Sequence, residues 1–541
     1  MPKAPLFKKE ILIGVSFLIL IPLLAHWLFS WMGFTPTDEG FTLAYSRRLL
    51  DGQVPHRDFI IIRPFLSPLI HVPFVFFGGA YTFWLSRLFV WFQLACISWC
   101  WVLIINRTMK FPFSPGQAFL AAIISFAATA HSKHLTAWHT IDGLFFIAIG
   151  LVLCIKGRQI HKLLGYFLLG LAPLCKQSFI FVVPLSLLIL NDWRQVKYWI
   201  AAVLPGLAYV GYLISAHAFF DALFQLTSRT EFLSAGLLQY LSKRVALSFT
   251  VGYLSLWLIL GRFFRSESIK KWIAILMLYG VPLLGTAGSL WFGVLAGTSL
   301  GLFGILAGAA AYLLTTNSGP QTWKRISLLV LAVAWSASIS GGYKTPALMS
   351  GPILLVLTAH VFSLQKQQRA LHYSFIIASL LIALSFGVAR TRYIYRDLPA
   401  TQLTKSLDEV LPGARHIKTN PNTFDFMRDL NEAVKLVEAE HKRFAILPDV
   451  AAYWVKAGQQ NPLPAVWPHA DELSTTLLMD RFVGAMEASR ADTIFIVQKV
   501  EAKELARGFV PLPSNEYYYV VGYARSHFVK VHETNYFELY K

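Results

Sequence analysis

The sequence predicts a polytopic α-helical membrane protein of about 13 transmembrane helices with a C-terminal soluble α/β domain, and three observations predict it. Of 541 residues, 55% are hydrophobic and only 14% charged, with a mean hydropathy of +0.53. That is too apolar for a soluble chain of this length. Apolar runs recur through residues 1–389 with Lys and Arg gathered in the short stretches between them, the positive-inside pattern. Beyond Val388 the chain turns polar for about 150 residues, the size of one ordinary domain. The formal net charge of +19 therefore points to an anionic membrane leaflet rather than to nucleic acid. Cys96, Cys100, Cys154 and Cys175 all fall in or at the end of apolar runs, so neither a disulfide framework nor zinc-ligand spacing is present.

In chain order, Lys3, Lys8 and Lys9 precede an apolar run over 11–32. The run is about twice the length of a signal-peptide core and has no small-x-small cleavage site, so it reads as an uncleaved first helix with its N-terminus in the cytoplasm. Further spans are expected at 82–105, 113–130, 141–155, 163–174, 179–190, 199–216, 245–260, 272–284, 289–314, 326–339, 347–364 and 373–388. From that orientation every inner loop carries Lys or Arg, and the odd number of spans puts the C-terminus outside. The runs 163–174 and 179–190 are each short of the roughly 20 residues that cross a bilayer. They read as a helical hairpin whose tip holds Lys176 at membrane depth, where an ammonium is costly and a functional role is the default; the alternative is a lysine at a helix end that snorkels to the interface. After the last span, 424–440 has helical spacing (Met427, Leu430, Val434, Val437), while 443–447, 493–497, 517–521 and 528–531 read as strands.

The first outer loop, 33–81, is the most charged segment near the membrane. Asp38 and Glu39 open it, followed by Arg47, Arg48, His56, Arg57, Asp58 and Arg63. Pro36 and Thr37 end the first helix and start another, whose apolar stripe (Phe41, Ala44, Tyr45, Leu49) predicts an amphipathic helix lying on the membrane surface. Asp38 is then either a capping residue or a general base beside a lipid-facing pocket. Asp142, at the start of a later helix, is equally a cap or a group that binds sugar hydroxyls or orients a cation. His131, His134 and His139 share one loop at a spacing that fits no metal set. Arg57, Arg63, Lys133, Lys176 and Lys344 are outer-side cations in a positive-inside protein, which suits an anionic ligand; the Lys344 break, Tyr343-Lys344-Thr345-Pro346, is otherwise an interhelical turn.

The Asp38-Glu39 pair, the segment ending Leu50-Asp51-Gly52, then Pro55-His56-Arg57-Asp58-Phe59 and Arg63-Pro64 resemble the first outer loop of GT-C superfamily membrane glycosyltransferases. The likeness is to the bacterial branch related to protein O-mannosyltransferases and lipid A aminoarabinose transferases. That branch carries Lys-Pro-Pro or Arg-Pro-Pro where this chain reads Arg63-Pro64-Phe65. The stretch with Gly165, Gly170 and Lys176 resembles the family's glycine-spaced helix ending in lysine.

The resemblance implies about thirteen helices with a periplasmic C-terminal domain (390–541) in a bacterial inner membrane. It also implies inverting transfer of a sugar from a polyprenyl-phosphate donor to a lipid, glycan or protein acceptor. Asp38 would be the base, with Glu39 the second choice, and Arg57, Arg63 and Lys176 would meet the donor phosphate. His56, Asp58, Asp142, Lys133 and Lys344 are candidate substrate contacts. No cofactor is expected, and a divalent metal stays open. Two competitors are a lipid-linked oligosaccharide polymerase or ligase and a flippase of lipid-linked sugars. A flippase would show paired broken helices in two halves, and only one short hairpin is seen.

Overall fold

The structure, a computed structural model, describes residues 4–109, 113–131, 135–155, 157–263, 266–316, 320–340, 344–364 and 369–541. Lys133, His134 and Tyr343 lie outside the described residues. The helices of the first part are α1 (Ala4–Phe29), α2 (Asp38–Leu50), α3 (Leu66–Phe77), α4 (Thr82–Thr108), α5 (Pro115–Ala130), α6 (His139–Cys154), α7 (Gln159–Cys175), α8 (Val182–Ile189) and α9 (Val196–Ser215). They continue as α10 (Phe219–Thr227), α11 (Thr230–Ser242), α12 (Arg244–Phe263), α13 (Glu267–Ile275), α14 (Val281–Trp291), α15 (Leu295–Thr315), α16 (Gln321–Ser338), α17 (Ser350–Leu364) and α18 (Arg369–Arg392).

Several of these helices are long and apolar, as in a multi-pass membrane protein, but the thirteen expected spans do not all qualify. Among the described residues six helices are long and apolar enough to cross a bilayer, or seven if the bent pair Ser234–Tyr240 and Arg244–Leu260 counts as one. The helices Pro115–Ala130 and His139–Cys154 are 16 residues each, about 24 Å at 1.5 Å per residue, against a hydrocarbon core of about 30 Å. The break expected between 284 and 289 is absent. Residues Ser268–Trp291 run as one helix through a π-helical turn at Leu276–Gly280, and the chain turns instead at Gly293, whose φ is +70°.

The expected hairpin around Lys176 also differs. Helix α7 lies between α6 and α9, and α8 packs on α16. Glycines decide this: a Cβ on Gly165 would come within 2.7 Å of the Gly150 carbonyl oxygen on α6, and one on Gly170 within 2.0 Å of the Ala202 carbonyl oxygen on α9. The glycine spacing therefore makes two close helix contacts on opposite neighbours.

The C-terminal region is a small mixed α/β unit. Its elements are β1 (Lys405–Ser406), β2 (Lys418–Thr419), α19 (Pro421–Ala439), β3 (Arg443–Leu447), α20 (Thr476–Ala488), β4 (Thr493–Gln498), α21 (Tyr519–His527), β5 (Lys530–Glu533) and β6 (Phe537–Tyr540). The sheet order is β3-β4-β6-β5, with β3 and β4 parallel and the rest antiparallel. Strands β3 and β4 are almost continuously apolar because both faces are covered. Phe444, Ile446, Ile494 and Ile496 enter one core, and Ala445, Leu447, Phe495 and Val497 the other. The strand expected at 517–521 is instead the end of a 3-10 turn, Glu516–Tyr518, running into the start of α21. Asn515 accepts from the Tyr517 N–H at 3.1 Å, and Val520, Val521 and Ala524 then share a buried helical face, so packing overrides the β-propensity of Tyr and Val.

Both of these cores reach into the first loop. Phe41, Tyr45, Phe59 and Ile61 join the first, Ile60 and Ile62 the second, the alternation of an extended segment. The Ile60 N–H donates to the Pro464 carbonyl at 2.7 Å. Helix α2 accordingly does not lie on a membrane surface with one face in lipid. Asp38 through Ser46 are all buried, because the Ala451–Val455 turn covers its other side.

Candidate functional site

The first turn of α2 is fixed from outside the helix. A Cβ on Gly40 would sit 2.1 Å from the Ala452 nitrogen, so only glycine lets this turn approach. The Ala452 N–H donates to the Pro36 carbonyl at 2.9 Å. Thr37 occupies the N-cap position without a side-chain cap bond, which frees the Asp38 carboxylate from capping. Asp38 Oδ2 instead accepts from the Tyr395 hydroxyl at 2.7 Å and pairs with Arg396 Nη1 at 3.0 Å. Arg396 also donates to Thr37 Oγ1 at 3.0 Å. Both polar contacts that Asp38 makes among the described residues thus fall on one oxygen. The next residue, Asp397, anchors the Tyr395–Arg396 segment: it accepts from the Phe34 N–H at 2.8 Å, Thr419 Oγ1 at 2.9 Å and Asn420 Nδ2 at 2.7 Å.

Glu39 faces a different partner. Arg87, from the middle of an apolar run, donates Nε to Oε1 at 2.8 Å and Nη2 to Oε2 at 3.0 Å. Both side chains are nearly inaccessible. Both Glu39 oxygens are therefore occupied, while Asp38 keeps one open among the described residues.

The expected donor cations are held separately. Arg63 Nη1 pairs with the buried Glu472 at 2.7 Å, and its guanidinium lies over the Phe41 ring, 5.2 Å from the centroid. Arg57 is turned onto its neighbour Asp58 at 2.8 Å and onto the Ala216 carbonyl at 3.2 Å, and it holds the Asp58 carboxyl below the usual carboxylate range. Lys176 Nζ donates to the Ala337 carbonyl at 2.7 Å in a small pocket that Thr140, Thr345 and Pro346 also line. That pocket brings together the Lys176 segment and the turn bearing Lys344, whose own side chain is exposed. Gln177 Nε2 donates to the Ile62 carbonyl at 2.7 Å, so the residues beside Lys176 and Arg63 meet.

His56 is buried and has φ +69°. Its Nδ1 meets Gln225 Oε1 at 3.1 Å and its Nε2 the Tyr209 hydroxyl at 2.8 Å. Burial above all pushes the imidazole down to about 4. It is neutral at pH 7 and ties the first loop to α9 and α10. Asp142 is not a cap, because Trp138 holds that position. Fully buried, it accepts from Ser67 Oγ at 2.5 Å and Gln93 Nε2 at 2.7 Å and meets His71 Nε2 at 3.1 Å, which locks α6 to α3 and α4. No group of three potential metal ligands occurs among the described residues.

Sequence reasoning missed Arg87, Gln93, Tyr395, Arg396 and Glu472. Arg87 and Gln93 had a signal, since polar groups inside an apolar run need partners. Glu472 had none, because its partner Arg63 comes from the other end of the chain.

No family model matches the chain, and no curated protein matches it. Among solved structures, the Archaeoglobus fulgidus oligosaccharyltransferase tethered to an acceptor peptide containing the NVT sequon is distantly similar. The TM-score is 0.40 at 13% identity, covering 92% of this chain and 69% of that one. A likeness of that size yields no residue correspondence.

Proposed function

We propose that this chain is a membrane glycosyltransferase of GT-C type that moves a sugar from a polyprenyl-phosphate donor to a hydroxyl of an envelope lipid, glycan or protein. In this reading 1–389 is the transmembrane part, 33–81 the catalytic loop and 390–541 a periplasmic domain, all at the outer face of a bacterial inner membrane. One observation supports it: the buried Asp38 carboxylate is oriented through Oδ2 by Tyr395 and Arg396, and among the described residues Oδ1 has no partner and is left for a substrate proton.

In the transfer, Oδ1 takes the proton of the acceptor hydroxyl as that oxygen attacks the anomeric carbon. The bond from that carbon to the phosphate oxygen breaks, its electron pair leaves with the lipid phosphate, and configuration inverts. Lys176 and Arg63 meet the charge that builds on the phosphate, Arg63 exchanging or sharing its Glu472 contact. An apolar groove of about 580 Å³ between α1, α3 and α4, lined by Pro22, Phe74, Phe77, Phe89 and Phe92, suits the donor's hydrocarbon chain. Glu39, closed by Arg87, serves structure in this reading.

The test is transfer by the purified chain in nanodiscs, with no ion gradient. Labelled undecaprenyl-phosphate hexoses and pentoses are the donors and an envelope extract the acceptor. Asp38→Asn should keep fold and donor binding and lose transfer by at least about a hundredfold, the low end of a general base's worth. Lys176→Gln should raise the donor KM. Near wild-type transfer by the Asp38→Asn variant overturns the base assignment, and absence of any transfer by the wild type against all donors overturns the function.

A further inference from the structure

One interior cation beside this site has no part in the mechanism so far. Arg390, near the end of α18, lines a cleft of about 30 Å³ together with Phe34, Thr35, Glu39, Arg87 and Tyr395. Tyr395 is the residue whose hydroxyl donates to Asp38 Oδ2, and Glu39 follows Asp38 in the chain, so the cleft adjoins the proposed base. The Arg390 guanidinium does not reach out to solvent: its carbon lies 4.8 Å from the centroid of the Trp91 ring, which is 0% exposed.

The two arginines of the cleft differ in how their charge is met. An arginine has five N–H groups. Arg87 places all of them, on both Glu39 oxygens and on the carbonyls of Ser30, Met32 and Gly33. Arg390 makes one hydrogen bond among the described residues, from Nη2 to the Ala130 carbonyl at 3.1 Å, and its enclosed Nε has no partner there. The carboxylates close by are taken: Glu39 by Arg87, Asp38 by Arg396, and Asp397 by Phe34, Leu398, Thr419 and Asn420. The stretches outside the described residues contain no Asp or Glu. Ala130 ends α5, so the negative end of that helix and the Trp91 face offset part of the cost of desolvating the ion, but neither neutralises it.

We propose that this cleft is an oxyanion subsite, in which Arg390 binds a phosphate group carried by one of the two transfer substrates. A guanidinium offers paired N–H groups to two phosphate oxygens. The cleft has room for about two oxygens of water size and none for a sugar ring. Arg63 already meets Glu472, whereas Arg390 takes an anion without giving up an ion pair. The assignment to a transfer substrate rests on the glycosyltransferase reading; the anion site itself does not.

The full chain in a maltoside detergent, which carries no phosphate of its own, is titrated with inorganic phosphate against chloride at equal ionic strength. Heat of binding and thermal unfolding are the readouts. The wild type should bind phosphate saturably and unfold at a higher temperature with it. Arg390→Met keeps a stem over Trp91 and removes the charge. It should lose phosphate affinity by at least about tenfold, the low end for hydrogen bonds to a charged group, and gain no stability from phosphate. Arg390→Lys keeps the charge without the fork and should bind phosphate several-fold more weakly, which decides the matter if Arg390→Met does not fold. Phosphate that stabilises the wild type no more than chloride does, or both variants as much as the wild type, overturns the proposal. In transfer from the undecaprenyl-phosphate sugar that serves the wild type, Arg390→Lys should raise one KM and spare the other. A raised donor KM places the donor's phosphate in the cleft, and a raised acceptor KM the acceptor's. Two unchanged KM values overturn the substrate assignment. Saturable phosphate binding by a chain that transfers no sugar keeps the anion site and removes the glycosyltransferase reading alone.

Discussion

Arg87 donates to both oxygens of Glu39 and, through Nη1 and Nη2, to the carbonyls of Ser30 and Gly33, each at 2.6 Å. Its charge is buried on a helix long and apolar enough to cross a membrane. Removing the partner charge from such a pair costs about 3–5 kcal/mol, because the remaining ion stays desolvated. Glu39→Gln is therefore expected to lower thermal stability, read by unfolding in detergent, by most of that range, since the amide still accepts one bond. Transfer per folded molecule should survive. The expected contrast is a folded and inactive Asp38→Asn against an unstable and active Glu39→Gln. A stable, inactive Glu39→Gln would put the chemistry on Glu39.

At the scale of elements, α2 is an interface helix. Its polar start meets Tyr395 and Arg396, its apolar residues join the core of the C-terminal region, and Gly40 is the contact point with the Ala451–Val455 turn. A methyl group there meets backbone, which cannot rotate away. Gly40→Ala should force the turn off α2 and cost at least the 1–3 kcal/mol typical of overpacking. Because the same turn closes on Pro36 and Gly40, the residues that bracket Asp38, transfer should fall with stability. The measurement is protease sensitivity of the 448–456 turn alongside activity. A Gly40→Ala protein as protease-resistant as wild type would show that the contact is looser than it stands here.

For the whole molecule, we propose from the charge pattern that the N-terminus is cytoplasmic and residues 390–541 lie outside. A cysteine placed at Ser514 should then react with a membrane-impermeant thiol reagent in intact spheroplasts, and one at Ser268 should not. Protection of Ser514 with labelling of Ser268 would reverse the orientation. The large shared core between the first loop and residues 407–539 also means that the C-terminal region and the loop hold each other in place.

What the sequence determined by itself was class and local order. Composition and basic clusters identified a membrane protein, the change after Val388 located the α/β region, and the spacing of Met427, Leu430, Val434 and Val437 placed α19. These are properties of a residue and its near neighbours, and hydropathy and periodicity report them directly. Span number was not legible, because apolar runs such as Pro115–Ala130 are long enough to be helical but short for a bilayer. Which neighbour accepts each side chain was decided by the tertiary structure alone. Asp38 and Glu39 are adjacent in sequence, yet one meets Arg396, 358 positions away, and the other Arg87, 48 away. Arg63 meets Glu472 across 409 positions. Partners that distant are chosen by how helices and sheet pack, since a buried charge takes whichever countercharge the packing brings within about 3 Å, and no local pattern encodes that choice.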